Sequence, residues 1–588
     1  MTTSAPLPTT TRPQALDDET LCAAFQRTAA ERPGDVALAD ERHPSITWHE
    51  YGEHVRRLAE GLHSLGIRPG DTLALLLTNR VELHLLDAAA IHLGAVPFSV
   101  YTTCAPEQIE YLLRDSGARV AVTETSLQDR LARALELGER GLDALVVVDG
   151  ADGTLNLAEL ALRRSAELDF EASWRAVGRD DLLTLIYTSG TTGPPKGVEL
   201  THGSLLAGWR GLYAAWGLPR PGGTTISYLP SAHVADRFSC HYASMLFGMA
   251  ITCCGDPRQV GSLLPDVRPT AFAAVPRIWQ KLTAGVEAAL GAETDDARRE
   301  AISWALATGR QVVELEQRGE PVPEELRGEL ARADELVLSG IRRRLGLDRC
   351  EVAVCAAAPV PPEVLSFLQA LGLPIVELYG LSETSAVATA NRPGRQRIGT
   401  VGQPIPGVEL RLADDGEVLL RGDSLMRGYR NRPDQTGEAI NADGWLRTGD
   451  VGVLDEDGYL RIVDRKKELI INAAGKNMSP ANIESTLKAA SSLIGQACVI
   501  GDARAYNVAL LTPDAETSAR LTREALEAEV AAAVDRANQR LARVEQIRRF
   551  RLLEQDWPPG GIELTPTMKL KRRAIAKRYA DEIERLYD

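Results

Sequence analysis

Short runs of Val, Leu, Ile and Ala alternate with amphipathic stretches through most of the first 380 residues, and that alternation restricts the fold more than any other feature. The runs at 72–78, 95–101, 119–123 and 144–148 are bounded by Gly, Asp or Asn, as strands buried on both faces are. Between them, 51–65 and 106–115 carry helical periodicity, which predicts β-α-β units and a largely parallel sheet. The pattern resumes at 182–188, 271–275, 351–356 and 374–378. A single hydrophobic core stops growing near ~250–300 residues, so a chain of 588 residues must divide.

The texture supplies the division. Residues 287–345 are charged and rich in Ala, Leu, Arg and Glu, a helical excursion with a solvated face. Past about residue 400, Gly- and Asp-punctuated strands at 408–412, 416–421, 444–447 and 459–463 read as antiparallel. The last stretch mixes hairpins with helices at 481–490 and 516–544. The expected architecture is α/β: a flexible tail at 1–18; a large N-terminal domain at 19–465, with stacked, mostly parallel sheets, helices and a small antiparallel subdomain; and a small α+β C-terminal domain at 466–588.

Composition excludes several classes of partner. The net charge of −15 repels nucleic-acid phosphates and anionic lipid as a whole, so no nucleic acid and at most a peripheral membrane contact are expected, and any bound anion needs a local site. Two nearly uncharged stretches, 88–106 and 238–255, are interrupted by Gly, Pro, Ser, Thr and His and read as core segments. The start lacks the features of a secretory signal, and the eight cysteines form no C-x-x-C pair, which predicts a reduced, cytoplasmic compartment. All nine histidines lie at or before His241, and no zinc site is suggested.

The densest chemical signal is Thr188-Ser189-Gly190-Thr191-Thr192-Gly193-Pro194-Pro195-Lys196-Gly197, directly after an apolar strand. Small and hydroxyl residues let backbone N–H groups approach an anion, while Ser189, Thr191 and Thr192 add donors and Lys196 adds charge. The string fits neither the P-loop spacing nor G-x-G-x-x-G.

It resembles the phosphate loop of the adenylate-forming superfamily, which includes acyl-CoA synthetases, luciferases and the adenylation domains of peptide synthetases. Further resemblances follow in the family's order. His233, ending Leu229-Pro230-Ser231-Ala232-His233, looks like the histidine beside the acyl carboxylate. Tyr379-Gly380-Leu381-Ser382-Glu383-Thr384 resembles the motif that stacks on adenine and reaches Mg²⁺. Asp450 resembles the ribose-binding aspartate. Arg465 stands where the family has an arginine on the ribose or α-phosphate side, and Lys467 where it has its hinge. Ala474-Gly475-Lys476-Asn477 resembles a loop that turns toward the thiol, and Lys569 the catalytic lysine. The resemblance implies ATP, Mg²⁺ and CoA as cofactors, a mobile small domain, and nucleotide contacts from Thr188 to Gly193, Lys196, Tyr379, Gly380, Ser382 and Thr384. Glu383 and Thr191 would face the metal, and Gly475 and Lys476 the CoA.

That chemistry suits these residue types, because a carboxylate attacking the α-phosphate builds negative charge that positioning and cations must stabilise. Residues 569–578 hold six basic residues and no acid, which suggests an anion-facing segment. Several phrases, among them Val275-Pro276-Arg277-Ile278-Trp279, resemble the long-chain fatty acyl-CoA synthetase branch, with an apolar tail lying along segments such as 242–251. The resemblance implies activation of medium to long fatty acids and transfer to CoA. Transfer to an acyl carrier protein, or non-catalytic binding, stays open. One departure stands out: relatives carry Ser-Gly-Gly-Ala-Pro where this chain has Cys355-Ala356-Ala357-Ala358-Pro359, so two glycines have become alanines.

Overall fold

The computed structural model describes residues 12–588 except 139–140, 152, 189–193, 474–475 and 566–567. Its first sheet is wholly parallel, with Val96–Ser99, Thr72–Leu76, Val120–Thr123 and Ala144–Val147 side by side in that order. The inner strand Thr72–Leu76 is buried at every residue, which explains its unbroken apolar sequence. A capping box starts the helix Trp48–Ser64: the Thr47 hydroxyl accepts from the Glu50 N–H and the Thr47 N–H donates to the Glu50 carboxylate. Pro106 opens the helix Pro106–Ser116 and Gly117, at φ 74°, closes it.

A second sheet runs Ala271–Ala274, Val352–Cys355 and Ile375–Tyr379 in parallel and ends in two short antiparallel strands. A third contains Val36–Ala39, Ala250–Cys253 and Thr224–Ser227, again parallel. The strand ends Cys355, Tyr379 and Ser227 lead into the segments that carry the candidate site, the usual place for ligands in α/β sheets. The expected helical excursion is a layer of helices, Pro276–Gly291, Asp296–Gln317, Glu324–Ala333 and Ser339–Leu345, packed on Pro362–Ala370 and its neighbours. Val408–Leu412, Glu417–Gly422, Leu446–Leu454 and Leu460–Arg465 form the antiparallel sheet.

The C-terminal unit has its own core. Ile494–Ile500, Asn507–Pro513 and Ile547–Leu552 form a three-stranded sheet covered by Pro480–Ala490 and Arg523–Arg540 on one face and by the terminal helices on the other.

Two expectations are corrected. The tail expected to residue 18 is folded from Pro13 on: Ala15 and Leu16 are buried, and Arg210 donates to the carbonyls of Leu16 and Asp18. The strand Leu182–Thr188 pairs antiparallel with Lys196–Thr201, an element that precedes the helix His202–Trp216, because so short a connection cannot make a parallel crossover. Both uncharged stretches belong to core elements, and among the described residues no helix is long and apolar enough to cross a membrane. All eight cysteines are free thiols.

Buried neutral histidines tie this fold to pH. His202 Nδ1 accepts the Leu21 N–H and His92 Nδ1 donates to the Ala88 carbonyl. Burial pushes their pKa down to about 3 and about 4. The unfolded chain, with histidine near ~6.5, binds more protons than the folded one below that value, so stability falls as pH drops from 6.5 toward 4. We predict a loss on the order of 2 kcal/mol per buried imidazole between pH 6.5 and 5. Calorimetry across that range should show a falling unfolding midpoint, and a flat midpoint would contradict the neutral assignment.

Candidate active site

Asp450 and Arg465 face each other across neighbouring antiparallel strands, and that register brings Arg465 Nε within 2.8 Å of the Asp450 carboxylate. The Tyr379 hydroxyl donates to the other Asp450 oxygen at 2.6 Å. Burial pushes both Asp450 and Tyr379 upward, although Arg465 opposes the shift at Asp450. A carboxylate held on two sides in this way is an oriented acceptor suited to a pair of vicinal hydroxyls.

Gly380, which follows Tyr379, meets a backbone requirement of its own. A Cβ there would lie 2.1 Å from the Ala386 carbonyl oxygen, so the bare Cα lets the backbone fold back. Ser385 and Ala386 stand at φ 51° and 78°, a left-handed pair of non-glycine residues that tightens the same turn. Thr384 is fully buried, and its hydroxyl accepts from the Leu381 N–H and donates to the Leu381 carbonyl. Thr384 thus braces the loop that carries Glu383. Ser382 is nearly buried at the start of this turn.

Glu383 leaves the turn half-buried, and Tyr429 donates to its carboxylate at 2.9 Å. The ring of Tyr429 also lies under Lys196, whose Nζ is 4.7 Å from its centroid. The two-residue strand Gly428–Tyr429, paired with Val198 and Glu199, produces this join between the acidic motif and the lysine of the phosphate string. Thr188 and Lys196 are themselves cross-strand partners at the mouth of that hairpin. Ser189, Gly190, Thr191, Thr192 and Gly193 lie outside the described residues, as does Gly475.

His233 caps a short helical turn, its Nδ1 accepting the Ala235 N–H at 3.1 Å. Burial, and then the charge of Lys569, press its pKa down to about 4, so the neutral ring carries its proton on Nε2. The segment is anchored by Arg237, which donates to the Ser231 carbonyl and pairs with Asp87 at 2.6 Å in a fully buried setting.

Lys569 arrives from the C-terminal unit on a tight turn. Thr565 N–H donates to the Lys569 carbonyl and Lys569 N–H to the Thr565 hydroxyl. Its side chain remains accessible to solvent although protein surrounds the cleft it enters. Desolvation and then Arg465 lower its pKa, against the pull of Asp450, Glu383 and Glu468. Three of the other five basic residues of 569–578 are engaged within the protein rather than facing an anion: Arg572 pairs with buried Glu484 at 2.6 Å, Arg578 with buried Glu563 at 2.5 Å, and Lys571 donates to the Gly561 carbonyl.

Lys467 lies in an exposed turn between anchored neighbours. Lys466 pairs with Asp415 and Glu417 of the large unit, whereas Glu468 pairs with Arg572 of the small one. Lys476 is exposed in a turn in which the Asn472 side chain accepts its N–H. The apolar segment 242–251 packs in the core, with Phe247 edge-on to Trp209 and Met245, Leu246 and Met249 in the main cluster.

Sequence reasoning missed Tyr429, which has no periodicity around it, and Glu377, whose burial pushes its carboxyl up to about 8 while Gly399 N–H donates to it. Outside the cleft, Asp40, His43 and Glu82 approach one another as metal ligands would, but Glu82 is already paired with Arg80.

The model of the AMP-binding enzyme family matches residues 25–430, and that of the AMP-binding enzyme C-terminal domain matches 467–588. The chain belongs to this family. It is 50% identical over 452 residues to the fadD11 protein of Mycobacterium tuberculosis, covering 74% of this chain and 79% of that one. It is 36% identical over 584 residues to the long-chain-fatty-acid–CoA ligase FadD15 of Mycobacterium bovis, covering 94% of each. Among solved structures, the anthranilate CoA ligase AuaEII in complex with anthranoyl-AMP superposes with a TM-score of 0.73 at 21% identity, over 96% of this chain and 98% of that one. The adenylate-forming fold is thereby shown.

The alanine string carries backbone strain. Ala357 stands at φ 75°, a conformation that glycine adopts freely and alanine does not. Ala357→Gly should stabilise the protein by up to about 1 kcal/mol, and Ala357→Val should destabilise it. Thermal unfolding of the two variants checks the pair, and a lower midpoint for the glycine form would refute the strain.

Proposed function

We propose that the chain is an ATP-dependent acid–thiol ligase that activates medium to long fatty acids as acyl-adenylates and transfers the acyl group to CoA. The observation that carries this reading is the convergence of Lys569 from the small unit with Glu383, Asp450, Arg465 and His233 from the large one. The names of its fatty-acid ligase relatives support the acyl substrate.

In the first half-reaction, a fatty-acid carboxylate oxygen bonds to the α-phosphorus of ATP and pyrophosphate leaves. Lys569 bridges the two anions as they meet, with neutral His233 offering its Nε2–H on the acyl side. Asp450 and Tyr379 hold the ribose and base, Arg465 and Lys196 face phosphate oxygens, and the string 188–193 cradles them. The carboxylate of Glu383 suits magnesium, which takes one or two carboxylates plus substrate phosphates and supplies charge neutralisation when bound. In the second half-reaction, the CoA thiol sulfur bonds to the acyl carbonyl carbon and AMP leaves. Lys467 is the proposed hinge, and Gly475 and Lys476 belong to the proposed thiol side. The eight free cysteines accord with a cytoplasmic setting, and contact with a membrane would be peripheral.

Pyrophosphate release across a panel of carboxylic acids, with and without CoA, tests the reading. Strong release with long-chain acids and CoA-dependent thioester formation are expected. Silence with every acid would sink it, and release without CoA consumption would point to a carrier-protein acceptor. Lys569→Ala should lower adenylation about 10²–10³-fold while leaving conversion of supplied acyl-AMP to thioester largely intact.

A further inference from the structure

Arg277 lies in the first turn of the helix Pro276–Gly291 of the large unit. Its guanidinium pairs with Asp514 at 2.8 Å, and a second N–H points at the Met568 sulfur 4.0 Å away. Met568 directly precedes Lys569 and stands at φ 62°, left-handed for a residue with a side chain. Asp514 is nearly buried. One of its oxygens accepts the N–H groups of Glu516 and Thr517 within the small unit, and the other receives Arg277. One helical turn on, Lys281 pairs with Glu516, but both side chains are exposed and such pairs contribute little.

We propose that Arg277 is a positioning residue for adenylation: it clamps Asp514 and the strained Met568 turn from the opposite unit, holding Lys569 in the cleft, and it must release both before the thioester step. The inference rests on Lys569 being the adenylation lysine. A cation at 277 acts here without touching the reacting atoms, since its partners are a structural carboxylate and a thioether. The sequence phrase containing Arg277 thereby acquires a role in the reaction cycle that motif reading does not assign to it.

The full-length enzyme carries the test, with the most active acid from the panel. Arg277→Lys and Asp514→Asn should each lower ATP-dependent pyrophosphate release about 10- to 100-fold, while the rate of thioester formation from supplied acyl-AMP and CoA stays level or rises. The reciprocal exchange, Arg277→Asp with Asp514→Arg, should recover part of the lost adenylation, and Lys281→Ala should change neither half by more than about twofold. Equal loss of both half-reactions in Arg277→Lys and Asp514→Asn, or no loss in either, would overturn the clamp. Failure of the underlying reading shows separately, as a Lys569→Ala variant that still releases pyrophosphate.

Discussion

The cleft depends on one cross-strand ion pair, because the 2.8 Å contact between Arg465 and Asp450 sets the local field into which every other group is placed. Without Arg465, a buried carboxylate at Asp450 would titrate upward and lose its acceptor strength. Without Asp450, Arg465 would oppose the entry of Lys569, whose ammonium already feels its repulsion. The pair lets two cations share a confined space, and two cations are what the approach of a carboxylate to a polyphosphate demands. Tyr379 belongs to the same unit through its hydroxyl, and its ring stands at the end of a parallel strand.

Backbone strain gathers around this field. Ala357 follows the strand Val352–Cys355, Ser385 and Ala386 follow Glu383, and Met568 precedes Lys569, all at positive φ. Each left-handed residue with a Cβ costs about 1–2 kcal/mol. Such positions persist where surrounding contacts over-determine the turn, as the close approach of Ala386 to Gly380 does.

Much of this was legible in the residues, and the reason is periodicity. Leu182–Thr188 and Val408–Leu412 stand as read, since uninterrupted apolar runs and strict alternation are signals contained within a few residues. Lys196–Thr201 escaped because Lys196, Gly197 and Glu199 interrupt its pattern, and only pairing with Leu182–Thr188 makes it a strand. The motif residues Asp450, Arg465, Glu383 and Lys569 are legible in the sequence, yet how they come together depends on register and on docking of the small unit. Thr384 shows another limit: that its hydroxyl braces its own loop follows from its burial beside Leu381, which the residue type alone does not disclose. Tyr429 carries no local signal and the phrase around Arg277 does not disclose its contact, because each acts through a partner more than 40 residues away.

The distribution of ion pairs says which contacts a swivel can break. Within the large unit, Arg237 and Asp87 are 2% and 0% exposed, and within the small unit Glu484, the partner of Arg572, is 6% exposed. Removing one member of such a pair is worth about 3–5 kcal/mol. Between the units, Lys281 and Glu516 are 50% and 80% exposed, and Arg540 and Glu363 are 58% and 63% exposed. Exposed pairs contribute about 0–1 kcal/mol. Arg277 and Asp514, at 33% and 7%, fall between the two classes. A rotation about Lys467 would therefore leave each body intact and meet its main electrostatic resistance at Arg277, a barrier small enough for substrate binding energy to overcome in either direction.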